Sequence, residues 1–237
     1  MALLDLDTAK AKKYTDTKSV KEESGYTSPF CYPLWPCDRV GEYILAKSAV
    51  AGAMIQYMAS DNEDVPNQSP SNHLLGVGGQ CLEDGTEVYL DQDQANTVNG
   101  YGVTTAINQN GYRLWGNYTG AYPASSDAKD IWFAVRRMFS WQGNNFIQTY
   151  FDEVDDPMNN VLVQSVVDSE NIRCSAYAPK YWAGASIEYK SDNNPKTAIL
   201  AGTMKFRQHI APYTPAQEIV DIIDYDTDTL AAAVGGN

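Results

Sequence analysis

A short apolar run, Ala2-Leu3-Leu4-Asp5-Leu6, opens the chain as a strand and gives way to residues 8–24, where Lys10, Lys12, Lys13, Lys18, Lys21, Glu22 and Glu23 predict a solvated helix ended by Gly25. Phe30-Cys31-Tyr32-Pro33-Leu34-Trp35-Pro36 reads as extended, because its prolines disfavour helix at the positions before them. Strand, helix, strand is the opening of an α/β layer. A hairpin arm over residues 40–45, a helix over 48–60 rich in Ala, Met and Ile, and a loop over 61–72 follow. Glu83-Asp84-Gly85 marks a hairpin between two short strands, and residues 91–99 form a short helix ended by Gly100. Residues 102–107 and 112–115 pair as strands around the turn Asn110-Gly111.

From Ser126 the order changes to two long helices and then strands, an α+β arrangement. Phe133, Met138, Phe139, Phe146, Ile147 and Tyr150 recur mostly at helical spacing over residues 131–151, with Gly143 a weak point. Asp155-Asp156 then caps a second helix carrying Pro157 in its first turn and stopping before Pro179. Residues 185–190, 203–211 and 218–225 are the closing strands, and the stretch after Asp226 has no core of its own. The fold class is α/β plus α+β, with mixed sheets flanked by helices in two packed lobes. An α/β lobe covers residues 1–125, an α+β lobe 126–226, and a C-terminal arm 227–237. The abrupt opening on a strand suggests that the α/β lobe is incomplete at its N-terminus.

With 43% hydrophobic residues over 237 positions, the chain can bury a sizeable core. Seventeen basic against thirty acidic residues leave a net charge of −13, which repels nucleic acid and anionic membranes. Cys31, Cys37, Cys81 and Cys174 lack the paired spacing of a zinc or redox site and read as reduced, buried thiols. No signal peptide or membrane span is apparent, so folding in a cytoplasm is expected.

The sharpest catalytic hint is Asp5-Leu6-Asp7-Thr8 at a strand end, since haloacid-dehalogenase-like phosphatases place a nucleophilic and an acid aspartate two residues apart there. Ala9 stands where those enzymes want Thr or Val, and no phosphate-binding lysine or acidic magnesium pair can be placed. The alternative role for both aspartates is ending the strand and capping a helix. Gly76-Val77-Gly78-Gly79 precedes strands rather than a helix, so it serves a bulge or tight packing instead of a phosphate. His73 and His209 lack nucleophile or metal partners nearby in sequence, and the aspartates at 91, 93, 152, 155 and 156 lack calcium-loop spacing. No catalytic, cofactor-binding or metal-binding residue is assigned.

Gly111-Tyr112-Arg113-Leu114-Trp115-Gly116-Asn117-Tyr118-Thr119 resembles a block of contractile tail sheath proteins from myophages and R-type bacteriocins, with Tyr118 where arginine is common. Ala121-Tyr122-Pro123, Val135-Arg136-Arg137-Met138-Phe139, Val154-Asp155-Asp156-Pro157, Val167-Asp168-Ser169-Glu170-Asn171-Ile172 and Thr214-Pro215-Ala216-Gln217-Glu218-Ile219 come after it in the family's order. The resemblance covers about residues 45–230, and the family's N-terminal portion has no counterpart here.

That resemblance implies a structural subunit, not an enzyme. It would polymerise with copies of itself as a helical lattice around a tail tube, and would meet baseplate and tail terminator proteins. The place is a virion tail or phage-tail-like particle assembled in a bacterial host cytoplasm, without cofactor, nucleic acid or membrane. A type VI-like sheath component is the nearest alternative. In the family, neighbours are laced by arms added as strands to the next subunit's sheet. Here Glu218, Ile219, Val220, Ile222, Ile223, Tyr225 and Leu230 are the strand and arm candidates, and Arg136 and Arg137 are candidates for tube or neighbour contacts. Deletion after Asp226 is expected to leave folding intact and abolish polymerisation.

Overall fold

The computed structural model describes residues 1–235. Strand β1 (Ala2–Asp5) pairs in parallel with β2 (Cys31–Leu34) across the intervening α1 (Thr17–Glu23), as the strand, helix, strand pattern requires. Helix α1 is much shorter than the polar stretch predicts. The Trp35 indole N–H donates to the Ala11 carbonyl at 2.8 Å, the carbonyl that a continuing helix would need, so residues 8–13 form turns instead. A hairpin of β3 (Cys37–Val40) and β4 (Tyr43–Leu45) leads into α2 (Lys47–Asp61).

Strand β5 (Gly79–Cys81) pairs with the inner side of β3. The chain turns at Asp84-Gly85, but it returns as a single Cys81 to Glu87 bridge and not as the expected second strand. Helix α3 (Gln92–Gly100) carries a capping box, in which Asp91 and Gln94 satisfy each other's backbone N–H groups. β6 (Thr105–Asn108) and β7 (Tyr112–Trp115) form the predicted hairpin, with Asn110 and Gly111 both at positive φ. Trp35 N–H to Thr104 O, at 2.9 Å, bonds the end of β2 to the residue before β6. Residues 72–75 bond the far edge of β7. One mixed layer thus runs from β1 to residues 72–75.

In the second half, α4 (Ala128–Ile131) and α5 (Phe133–Thr149) are followed by α6 (Asn160–Ala176). Gly143 does not interrupt α5. Pro157 lies outside α6: Asp155 at φ 73° turns the chain, and Asn159 caps the helix by accepting from Leu162 N at 2.9 Å. β8 (Trp182–Tyr189) and β9 (Phe206–Pro212) form an antiparallel pair with α7 (Lys196–Leu200) in their connection. The expected closing strand over residues 218–225 does not form within the chain. Beyond it, α8 (Thr227–Ala233) gives the arm a capped helical turn where only an irregular tail was expected.

Three apolar clusters hold these elements. Leu6, Val20, Trp35, Val98 and Val103 pack near the N-terminus. Tyr32, Leu34, Ile55, Leu114 and Phe133 fill the space between the mixed layer, α2 and the start of α5. Val65, Met138, Cys174, Tyr181 and Trp182 join the loop after α2 to α5, α6 and β8. Helix α5 therefore enters both of the latter two clusters. Buried Lys21 donates to the carbonyls of Tyr101 at 2.8 Å and Tyr122 at 2.5 Å.

Burial lowers the Lys21 pKa from 10.5 to about 8. A depressed folded-state value means that the unfolded chain holds the proton longer. The stability tied to this site is then complete above pH 10.5 and falls away as pH drops through 8. Urea titrations of wild type and Lys21→Met should give a stability difference that grows in favour of wild type between these limits, by at most about 1.4 kcal/mol per pH unit. A difference independent of pH would contradict the assignment.

Candidate functional site

The C-terminal sheet and the segment that leaves it make up the site. β9 alternates half-buried Phe206, Gln208 and Ile210 with exposed Arg207 and His209, so one face of the pair rests on the helices and the other meets solvent. Trp182 is fully buried and its indole N–H donates to Cys174 O of α6 at 3.0 Å. Beneath the sheet, the wholly buried Glu170 accepts from Arg173 through two nitrogens at 2.5 and 3.1 Å and from Gln142 Nε2 at 2.5 Å. The same Gln142 nitrogen lies 3.1 Å from Gln208 Oε1, which ties α5, α6 and β9 into one polar network.

After Pro212 the chain crosses towards the N-terminal half. Tyr213 donates its hydroxyl to Pro179 O at 3.0 Å. Gln217 accepts from the Tyr118 hydroxyl at 2.7 Å. Tyr118 is itself stacked on Tyr122 at 3.8 Å and on Trp132 at 4.8 Å. Tyr118, where the resemblance leads one to expect arginine, is thus the anchor of the linker. Between the two anchors, residues 213–217 wall a polar cavity of about 530 Å³ with Asn72, Asn99 and Asn117 on its other sides.

Past Gln217 the chain leaves the body. Ile219 is 89% exposed and Ile223 86%, and Glu218, Val220, Ile222, Tyr225 and Leu230 are also exposed. Five closely spaced apolar side chains stand in water here, on a segment without strand partners among the described residues. The anchors explain why residues 218–225 do not close the sheet in their own chain, since Tyr213 and Gln217 carry them away from β9. Gly236 and Asn237, at the end of the predicted arm, lie outside the described residues.

Arg136 and Arg137 are engaged within the chain. Arg136 pairs with Asp130 at 3.1 Å and stacks 4.1 Å above the Phe30 ring, while Arg137 lies 5.5 Å from the Phe133 ring. Asp5 and Asp7 are likewise occupied. Both Asp5 carboxylate oxygens accept from Ser48, from its N–H at 2.9 Å and from its hydroxyl, and so cap α2. Asp7 accepts from Ala9 N at 2.9 Å. The cavity beside them also carries Glu83 and has no lysine or arginine in its lining, which suits a phosphoryl substrate poorly. Asp5 therefore caps α2 and not the first helix as the sequence suggested, while Asp7 closes a turn and caps no helix.

Among the described residues no group of three or more His, Cys, Asp or Glu is placed to hold a metal ion, and no helix is long and apolar enough to cross a membrane. Cys31 and Cys37 are only half buried, in contrast to the expected burial, while Cys81 and Cys174 are buried; all four are free thiols.

No protein-family model matches the chain. It is 27% identical over 197 residues to the major tail sheath protein of Serratia phage KSP20, covering 79% of this chain and 48% of that protein. It is 22% identical over 215 residues to the tail sheath protein of Escherichia phage P2, covering 85% and 52%. The chain thus spans about half the length of the curated relatives it matches. Its fold superimposes on a chain of the sheath complex of the PVC extracellular contractile injection system in its contracted state, with a TM-score of 0.79, 18% identity, and coverage of 96% of this chain and 64% of that one.

Proposed function

From a chain that is a relative of the contractile tail sheath proteins in sequence and in fold, we propose a structural role: a subunit that polymerises as a helical lattice around a tail tube and drives the tube through a target envelope on contraction. The observation that carries this reading is the exposed apolar segment over residues 218–225, anchored at Gln217 and unpaired beyond it, opposite a two-stranded sheet. An open helix needs head-to-tail contacts, and a strand donated from one copy to the sheet of the next is such a contact.

Backbone hydrogen bonds hold a donated strand whichever way its linker bends, so subunits can reorient without separating. The driving energy is the larger contact area of the contracted lattice, and the chain uses no nucleotide. Its partners are neighbouring copies, the tail tube, and the baseplate and terminator proteins at the two ends of a virion tail or phage-tail-like particle, assembled in the host cytoplasm. Arg136 and Arg137 contribute to tube or neighbour contacts only through the surface they leave exposed beside α5. The test is negative-stain electron microscopy of the full-length protein expressed with its tube protein. Hollow cylinders with a helical surface lattice are expected; monomers under every condition would refute the proposal.

A further inference from the structure

The four cysteines have no paired spacing along the chain, yet the fold sets two of them face to face. Cys37 and Cys81 are direct partners where β3 runs antiparallel to β5. Partners of this kind project to the same face of a sheet, so the two thiols are neighbours. Val88 N donates to Gln80 O at 2.9 Å and Leu82 N to Thr86 O at 2.8 Å, which turns these flanking groups away from β3. By alternation the N–H and C=O of Cys81 face Cys37. Cα atoms of such a pair lie about 5.5 Å apart, within the range of about 4.4–6.8 Å that a disulfide spans. The Cβ atoms, at about 4.5–5.5 Å, have to draw slightly together, which keeps the bond easy to reduce. Cys37 can make that movement because it is the first residue of β3.

We propose that Cys37 and Cys81 form a reversible thiol pair, which a low-molecular-weight disulfide oxidises to a covalent bond between β3 and β5. Cys37 is the point of entry. It is half-buried and lines a cavity of about 380 Å³ with Asp5, Asp7 and Glu83, whereas Cys81 is wholly buried. The Cys37 thiolate attacks one sulfur of the small disulfide, which leaves a mixed disulfide and releases one small thiolate. The Cys81 thiolate then attacks the Cys37 sulfur and releases the second. Two protein thiols lose two protons and two electrons, and one small disulfide becomes two small thiols. Burial, and after it the neighbouring Cys81, Asp5 and Glu83, push the Cys37 thiol up to about 11 against the pull of Lys47. Its thiolate is scarce at neutral pH, so the first attack speeds up as pH rises. The bond closes the chain from β3 through α2 to β5 into a loop and fastens the hairpin of β3 and β4 to β5. It depends on the two thiols alone and not on the sheath reading. In a particle of the kind proposed above, it forms once the reducing host cytoplasm is left behind.

The test treats the folded protein with bis(2-hydroxyethyl) disulfide, an uncharged probe suited to an approach lined by three carboxylates. Peptide mapping of the monomer should join Cys37 to Cys81 within one chain, and a reducing thiol should separate them again. In Cys31→Ser, which removes the other half-buried thiol, the same treatment should consume two titratable thiols and leave Cys174 free. Cys81→Ala should stop at a mixed disulfide of Cys37 with the probe. The mapping is made on the unsubstituted protein, so it stands even where a variant fails to fold. Free Cys37 and Cys81 after treatment, a mixed disulfide that persists on Cys37 with Cys81 intact, or a bond between any other pair would overturn the proposal.

Discussion

Truncation after Gln217 should abolish polymerisation at concentrations where the intact protein is expected to form cylinders, and should leave the fold of the remaining residues unchanged. Residues 218–235 are all exposed, so their removal creates no cavity and uncovers no core. The stability change read from urea unfolding should stay within about 0.5 kcal/mol. The effect on assembly is far larger. An eight-residue strand added to one edge turns four residues towards its neighbour, each with an N–H and a C=O, and so makes up to about eight hydrogen bonds, each contributing about 0.5–1 kcal/mol net. Losing them raises the subunit concentration needed for assembly by at least about a thousandfold.

Pelleting assays with electron microscopy measure that shift. Truncation after Asp226, which the sequence reading expects to abolish polymerisation, separates strand from helix, because it keeps residues 218–225 and removes the chain from α8 onward. If α8 carries the contact, both truncations fail alike; if the strand carries it, only the longer truncation fails completely. Normal cylinders from the longer truncation would sink the arm model.

Arg173→Met should destabilise the protein by about 3–5 kcal/mol. Glu170 is fully buried, and among the described residues Arg173 is its only cationic partner, bonding both carboxylate oxygens. Without that guanidinium the carboxylate keeps Gln142 as a donor but loses its counter-charge in a water-poor site. The double variant Arg173→Met with Glu170→Met should recover much of the loss, because replacing both members of a buried pair by apolar groups is often nearly neutral. Chemical denaturation of the two variants checks the contrast, and equal destabilisation in both would show that packing, and not charge, dominates. The network also braces β9 through Gln208, so the single variant should loosen that strand as well.

Much of the fold was legible in the sequence because local rules governed it. The Asn110-Gly111 hairpin, the Asp91 cap of α3 and the uninterrupted α5 each arise from turn chemistry, capping and periodicity within a few residues. The ordered motif blocks around Tyr112 to Thr119 likewise pointed to the family, which the fold and the relatives bear out.

Local rules failed where a distant group intervened. The first helix was shortened because Trp35, 24 positions on, takes the Ala11 carbonyl. The closing strand was absent because Tyr118, 99 positions away, holds Gln217. Neither contact has a signature in local spacing, since both depend on which surfaces the packed cores bring together. The sequence alone determined most of the elements, the charge and an apolar C-terminal segment suited to a strand. The tertiary structure alone decided that this segment leaves its own sheet, because hydrogen bonds between residues far apart in sequence exist only once the chain has packed.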